Sequence, residues 1–297
     1  MLSRYISSIL FRSCQKSSHI IRSYSAVPLA FNKYQKDDNT DKSLIVLHGL
    51  FGSKSNWNSL CKAFAQKTNP KRKIFAIDAR NHGETEHTQN HNYELMAEDI
   101  REFIEENELA KASVLGHSMG GRAVMYLALK YPYLIEKLIV VDISPVGRIG
   151  TTQSNIPLFI HAMQSLKIDS QNTIQQARAL ADKKLSEIIS EKSLRDFLIT
   201  NLIRDETGNF TWRINLETLD RCFLTGVAQF PSTEGMHFDG PTLFIGGSKS
   251  DYLKPADKPA IEKLFPKSSI EFLDAGHWVH AEKSEEFLNL VINFLNK

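Results

Sequence analysis

The chain has 297 residues, of which 42% are hydrophobic and 24% charged, a composition that excludes a collagen-like or intrinsically disordered protein. The net charge of +2 is unevenly distributed, because the first 24 residues contain four basic residues and no acidic one. The other 32 basic residues are balanced by 34 acidic residues. This near-neutral body lacks the excess positive charge that nucleic acids attract, so we expect no nucleic-acid partner. No run of about 18 consecutive apolar residues occurs, which argues against a membrane-spanning helix.

Residues 1–24 have the profile of a mitochondrial presequence, since they are rich in Ser and Arg and free of Asp and Glu. Arg22 precedes Tyr24 by two positions and a small residue follows, a pattern typical of the cleavage site of the matrix processing peptidase. The sequence therefore predicts a mature start near Ser25 or Ala26 and a location in the mitochondrial matrix. The alternative is a frayed basic terminus without a targeting role.

From residue 43 onward, short apolar runs bounded by Gly, Asp or Pro alternate with longer amphipathic segments. This alternation predicts an α/β fold with a mostly parallel central sheet flanked by helices. The predicted strands are residues 43–48, 73–78, 112–117, 137–142, 242–247 and 269–274. The predicted helices include residues 93–107, 119–130, 258–265 and 284–296.

The alternation stops between residues 147 and 235, where the sequence is polar and helical, with no strand-like run before Phe210 and Trp212. We predict an inserted helical cap over this range, between a first core part (28–146) and a second core part (236–297). A cap above the carboxyl ends of the strands would cover the ligand crevice of an open sheet and control substrate access.

Gly116-His117-Ser118-Met119-Gly120 form a G-x-S-x-G motif directly after a predicted strand and directly before a predicted helix. That context is typical of a tight strand-to-helix turn that exposes a nucleophilic serine. The start of the helix adds unpaired N–H groups and a positive dipole end, which favour a negative oxygen developing nearby. We predict that Ser118 is a nucleophile and that the Met119 amide is one donor of an oxyanion hole. A purely structural turn is the alternative.

A second glycine-containing turn, His48-Gly49-Leu50-Phe51-Gly52, follows the first long predicted strand. Such a turn can point a backbone N–H toward Ser118. We assign the Leu50 amide as the second oxyanion donor, with the Phe51 amide as the alternative. For His48, bracing of this turn is the favoured role.

The candidate general base is His277, which follows the last predicted strand and precedes the C-terminal helix. A base must reach the hydroxyl from the same edge of the sheet. His280 is the competitor, but it lies three residues further on. His277 also suits the chain order of nucleophile, acid and histidine.

Two aspartates that follow strands are candidates for the acid that would orient the histidine. Asp142 ends the run 137–142, and Asp251 follows the glycine-containing loop after the run 242–247. Either carboxylate could fix the tautomer of His277 and stabilise its charged form. Position alone favours Asp251.

No pattern indicates a cofactor or a metal. His82, His87 and His91 lie in a polar stretch without strand or helix context, so we do not favour a metal site there. Cys61 and Cys222 have neither paired nor metal-ligand spacing, and we expect both to be reduced.

Five ordered motifs resemble the mitochondrial abhydrolase domain-containing protein 11 group of the α/β-hydrolase superfamily, with its bacterial esterase and yeast ethanol acetyltransferase relatives. The resemblance covers roughly residues 28–297 and implies the α/β-hydrolase fold. The resemblance shifts the choice of acid to Asp142, which matches the acid of such relatives; Asp251 is kept as the alternative because it is also present here, so the assignment stays open. Ser250 matches a serine that supports the histidine in the bacterial relatives. The motifs are HGLFGS, DARNHG, GHSMGG, VVDISP and DAGHWVHAEKSEEF.

The resemblance implies a serine hydrolase that cleaves carboxylic esters or thioesters of short acyl groups through an acyl-enzyme on Ser118. The alternatives are an alcohol acyltransferase that makes ethyl acetate from acetyl-CoA and ethanol, or a non-catalytic binding module on the same fold. The expected partner is a small-molecule acyl ester or thioester; protein partners and oligomeric state have no signal in the sequence.

Overall fold

The computed structural model describes residues 26–34, 40–146 and 155–297. The predicted presequence and the first part of the predicted cap, up to residue 154, lie outside the described residues. None of the helices within the described ranges is long and apolar enough to cross a bilayer.

The described residues form a seven-stranded sheet in which six strands are parallel and one edge strand is antiparallel, in agreement with the predicted mostly parallel sheet. The bounds are β1 Phe31–Lys33, β2 Ser43–Leu47, β3 Lys73–Ile77, β4 Ala112–His117, β5 Ile135–Val141, β8 Thr242–Gly247 and β9 Ser268–Leu273. Their order in the sheet is β1-β3-β2-β4-β5-β8-β9.

The central strands β2, β4 and β8 are buried along their whole length, which explains why they appear in the sequence as continuous apolar runs. Strand β1 was not predicted from the sequence. It has three residues, none of them buried, and it pairs only with β3 at the sheet edge. A short exposed edge strand carries no apolar run and therefore gives no signal.

Helices cover both faces of the sheet. On one face, α2 (Tyr93–Glu106), α3 (Met119–Lys130) and α8 (Lys258–Leu264) share one apolar core with side chains of the strands. On the other face, α1 (Asn58–Lys67), α9 (Val279–Glu282) and α10 (Ser284–Asn296) share a second core. The sheet is thus buried between two helical layers, as parallel sheets require.

Helix α2 shows how local sequence sets these elements. Asn92 is its N-cap, and its side chain accepts a hydrogen bond from the Leu95 amide at 2.8 Å. Tyr93, Met96 and Ile100 are among the buried residues, and their spacing of three and four positions places them on one helix face.

Between β5 and β8 the described chain forms four α-helices, a short π-helix (Phe223–Val227) and a two-stranded antiparallel sheet; we call residues 155–235 the cap segment. The elements are α4 Ile156–Gln164, α5 Ile174–Leu185, α6 Lys192–Ile199, β6 Leu202–Arg204, β7 Phe210–Trp212 and α7 Leu216–Cys222. Their fifteen-residue buried apolar core is separate from the two sheet cores and includes one residue from outside the segment, Phe51. The sequence indicated only β7, because Phe210 and Trp212 are aromatic residues that are enriched in strands, and it missed the three-residue strand β6.

Candidate active site

Ser118 lies in a sharp turn between β4 and α3, with φ 53° and ψ −116°. A positive φ costs a non-glycine residue on the order of 1–3 kcal/mol, which the surrounding structure must offset. The flanking glycines are required by close backbone contacts. A Cβ atom on Gly116 would lie 2.2 Å from the Gly120 carbonyl oxygen, and one on Gly120 would lie 2.4 Å from the His48 carbonyl oxygen. The motif therefore folds as a strained turn that presents the hydroxyl group above the sheet.

His277 lies in the loop between β9 and α9, and its imidazole reaches the serine. The distance from His277 Nε2 to Ser118 Oγ is 3.0 Å. On the other side of the ring, Nδ1 lies 2.7 Å from Asp142 Oδ2. Asp142 is fully buried and accepts the Nδ1 proton, which leaves Nε2 free to accept the proton of Ser118.

The Asp142 carboxylate is held by two further donors. The Gly247 amide donates to Oδ1 at 2.8 Å, and the Ser250 hydroxyl donates to Oδ2. Three donors thus satisfy a carboxylate with no exposed surface, and they fix the oxygen that faces His277.

The structure places the other candidate acid elsewhere. The Asp251 side chain is 59% exposed and forms an ion pair with Lys254 Nζ at 2.9 Å. Position in the sequence favoured Asp251. In the structure, the loop after β8 brings the Ser250 hydroxyl to Asp142, and the side chain of the next residue, Asp251, faces solvent. Asp142 is the acid that contacts His277.

His280, the competing histidine, is buried and forms no hydrogen bond to Ser118 in the described chain. Its ring stacks on Trp57 with a centroid distance of 4.3 Å, and its Nδ1 has no hydrogen-bond partner among the described residues. Burial lowers the pKa of His280 to about 3, so the ring is neutral at physiological pH.

Two aromatic rings hold His277 in place. Tyr252 stacks on the imidazole at a centroid distance of 3.9 Å, and burial, followed by the charge of Asp142, raises the pKa of its hydroxyl. His117 Nε2 donates to the His277 carbonyl oxygen at 2.9 Å. Neither residue was predicted to belong to the site, and only the fold shows that Tyr252 contacts a residue 25 positions further along the chain.

The amides of Leu50 and Met119 have no acceptor among the described residues. The Phe51 amide, the alternative donor, is occupied because it donates to His82 Nε2 at 3.3 Å. Leu50 lines the same cavity as Ser118, and Met119 follows Ser118 in the chain, so both residues keep the free amide that an oxyanion hole would need; their role as its donors stays a prediction.

His48 braces the same turn. Its Nδ1 donates to the Gly49 carbonyl oxygen at 2.8 Å, and its Nε2 accepts from the Ala79 amide at 3.0 Å. Burial lowers the pKa of His48, which keeps the ring neutral and this pattern of bonds intact.

The stretch with three histidines has a structural role in the described chain. Burial lowers the pKa of His82 well below its ordinary value and that of His91 to about 3. His87 donates to the Arg213 carbonyl oxygen at 2.9 Å. In the described ranges no group of three His, Cys, Asp or Glu residues is arranged to hold a metal.

Ser118 and His277 open onto a cavity of about 870 Å³ between the sheet and the cap segment. This volume is in the upper part of the range for small-molecule sites. Its wall is largely apolar, and polar and charged side chains also line it. The apolar lining comprises Leu50, Phe51, Trp57, Ile156, Phe159, Leu194, Phe197, Tyr252 and Trp278.

Comparison with known proteins agrees with the resemblance in the motifs. Residues 42–284 match the family model described as "alpha/beta hydrolase fold". A mouse protein named "sn-1-specific diacylglycerol lipase ABHD11" is 41% identical over 97% of this chain and 91% of its own length. "Ethanol acetyltransferase 1" of Hanseniaspora uvarum is 28% identical over 86% of this chain and 80% of its own length.

Solved structures show the same fold. One described as "Marine microorganism esterase" superimposes with a TM-score of 0.79 at 32% identity, covering 91% of this chain and 100% of that one. The chain therefore belongs to the alpha/beta hydrolase family, as its five motifs predicted.

Proposed function

We propose that this protein is a serine hydrolase that cleaves carboxylic esters or thioesters through an acyl-enzyme on Ser118. The observation that carries the proposal is the hydrogen-bonded series from Ser118 Oγ through His277 to the buried Asp142, which opens onto an apolar cavity. The named activities of the relatives support an enzyme of this class.

In the first step, Ser118 Oγ forms a bond to the acyl carbon while its proton moves to His277 Nε2. The carbonyl π electrons move to the oxygen, where the Leu50 and Met119 amides donate to the negative charge. When the tetrahedral intermediate collapses, the bond to the leaving alcohol or thiol breaks, and that group takes the proton from His277. Asp142 stabilises the positive imidazole throughout.

In the second step, a water molecule attacks the acyl-enzyme and gives one proton to His277 Nε2. Collapse of the second intermediate releases the carboxylic acid and returns the proton to Ser118 Oγ. The enzyme thus ends in its starting state, and one water is consumed for each ester bond that breaks.

The cavity sets what the acyl group can be. The resemblance implied short acyl groups, whereas a volume of about 870 Å³ with an apolar wall also accommodates longer chains. Each methylene buried there contributes about 0.8 kcal/mol, or roughly a fourfold gain in kcat/KM. We expect kcat/KM for p-nitrophenyl esters to rise from acetyl toward octanoyl.

The test compares wild type with Ser118→Ala. A fluorophosphonate probe and p-nitrophenyl butyrate should both react with the wild type, and the variant should lose labelling and nearly all turnover. Ser193 and Ser250 also line the cavity, so peptide mapping should show that the label is on Ser118. Full activity of Ser118→Ala would refute the mechanism, and a folded wild type without labelling would favour a binding module.

Alcohol acyltransfer is a second candidate, favoured by the relative named ethanol acetyltransferase. An alcohol that replaces water in the second step would give up its proton to His277 and leave as an ester. The butyrate assay repeated with and without ethanol separates the two: ethyl butyrate formation supports transfer, whereas butyrate alone supports hydrolysis.

A further inference from the structure

The turn that carries the Leu50 amide is held by contacts outside itself. The Gly52 amide donates to the Gly49 carbonyl oxygen at 2.9 Å, which closes a four-residue turn. At its third position Phe51 has φ 63°, a conformation unfavourable for a residue with a side chain. The turn therefore depends on its neighbours to stay in this shape.

One of these neighbours belongs to the cap segment. Asn201, between α6 and β6, donates from Nδ2 to the Phe51 carbonyl oxygen at 2.8 Å. Both residues are buried, with 3% and 5% of their surface exposed. The Phe51 side chain also packs in the apolar core of the cap segment, so the cap holds this residue by its backbone and its side chain.

The Asn201 hydrogen bond continues through two peptide groups to Leu50. The Phe51 carbonyl and the Gly52 N–H belong to one peptide group, and that N–H donates to the Gly49 carbonyl. The Gly49 carbonyl and the Leu50 N–H belong to the next peptide group. Asn201 therefore starts a line of hydrogen bonds that ends at the Leu50 amide.

Such a line has two physical effects. Each bond to a carbonyl fixes the plane of its peptide group and so the direction of the N–H at the other end. Each bond also polarises the group, which makes its N–H a stronger donor, and the effect is larger where water is excluded. A preorganised donor stabilises a developing oxyanion without reorganisation during the reaction.

We propose that Asn201 is a positioning residue, through which the cap segment orients and polarises the Leu50 amide of the oxyanion hole. This inference rests on the proposed function. Asn201 is not among the residues that line the cavity, so it acts through Phe51 and the turn and not on the substrate.

The test uses Asn201→Leu and Asn201→Ala, both of which remove the Nδ2 donor. The kcat for p-nitrophenyl butyrate should fall about tenfold while KM stays within about twofold, because the Leu50 amide is misdirected but still present. Loss of a whole oxyanion donor costs about 10²–10³-fold.

Asn215→Ala is the matched control. Asn215 also joins the cap segment to the core, donating to Asn81 Oδ1 at 3.0 Å, but within the described ranges it has no hydrogen bond to residues 49–52. Its kcat should match the wild type even if the melting temperature falls. An equal loss of kcat in Asn215→Ala, or wild-type kcat in both Asn201 variants, would overturn the proposal.

A second readout does not depend on activity. Gly49-Leu50 is the only Gly-Leu pair in the sequence, and Ser118-Met119 is the only Ser-Met pair. Labelling with ¹³C-carbonyl Gly and ¹⁵N-Leu therefore isolates the Leu50 amide in one NMR signal, and the corresponding Ser and Met labels isolate the Met119 amide.

In Asn201→Leu the Leu50 amide proton should move upfield while the Met119 signal stays in place. An unmoved Leu50 signal overturns the inference. If the wild type shows no Ser118-dependent turnover, the proposed function fails, and a shift confined to Leu50 still supports the link from Asn201 to that amide.

Discussion

Replacement of Asp142 by Asn should nearly abolish catalysis while leaving the fold intact. The introduced carboxamide has almost the shape of the carboxylate, and its oxygen can still accept from the Gly247 amide, which lies 2.8 Å from Oδ1 of Asp142. If the oxygen keeps that bond, the atom that faces His277 Nδ1 changes from an acceptor to an NH₂ donor.

The consequence for His277 follows from the 2.7 Å contact between Nδ1 and Asp142 Oδ2. A donor at this position cannot accept the Nδ1 proton, so the ring takes the other tautomer, with its proton on Nε2. That nitrogen then cannot accept the Ser118 proton across the 3.0 Å contact. The same change in a serine protease lowers kcat about 10⁴-fold, or about 5.4 kcal/mol of transition-state stabilisation.

The assay is the steady-state hydrolysis of p-nitrophenyl butyrate, with thermal unfolding measured on the same samples. Asp251→Asn is the matched control: its side chain is 59% exposed and paired with Lys254, so kcat should stay within about twofold of the wild type. Loss of activity in Asp251→Asn with retention in Asp142→Asn would refute the reasoning.

Four further outcomes test separate parts of the structure. Ser250→Ala should lower the free energy of unfolding by about 2 kcal/mol, because it removes one donor to the buried Asp142 carboxylate. It should lower kcat less than Asp142→Asn does, because the carboxylate keeps its other two donors. Burial lowers the pKa of His91 to about 3, so below about pH 6.5 the unfolded chain binds a proton that the folded protein does not. Stability should therefore fall as the pH falls from about 6.5 toward 3. In urea titrations, His91→Gln should remove about 1.4 kcal/mol per pH unit from that slope; an unchanged slope would contradict a neutral buried His91. Leu194→Trp should fill part of the cavity and reduce kcat/KM for octanoyl esters more than for acetyl esters; equal reductions would contradict this location for the acyl chain. Residues 1–30 fused to a fluorescent protein should direct it to mitochondria, and replacement of Arg12 and Arg22 by Glu should abolish that import; cytosolic fluorescence of the first fusion would reject the presequence.

The sequence by itself determined most of the strands of the sheet and the positions of the candidate catalytic residues in the chain. Buried strands have no polar face, so β2, β4 and β8 were visible as apolar runs. The strained turn around Ser118 could be predicted because such a turn needs glycine on both sides of the serine. The strands β1 and β6 were missed because each has only three residues, too few to show a period.

Only the tertiary structure decided which groups meet. Asp142 and Asp251 both follow strands. Only the fold shows that Asp142 contacts His277, whereas the loop after β8 leaves Asp251 exposed to solvent. The contacts of Tyr252 with His277 and of Asn201 with Phe51 join parts of the chain without any shared motif. Periodicity and spacing report which face of an element is buried; the partner across a contact is set by the packing of whole elements, which no local pattern encodes.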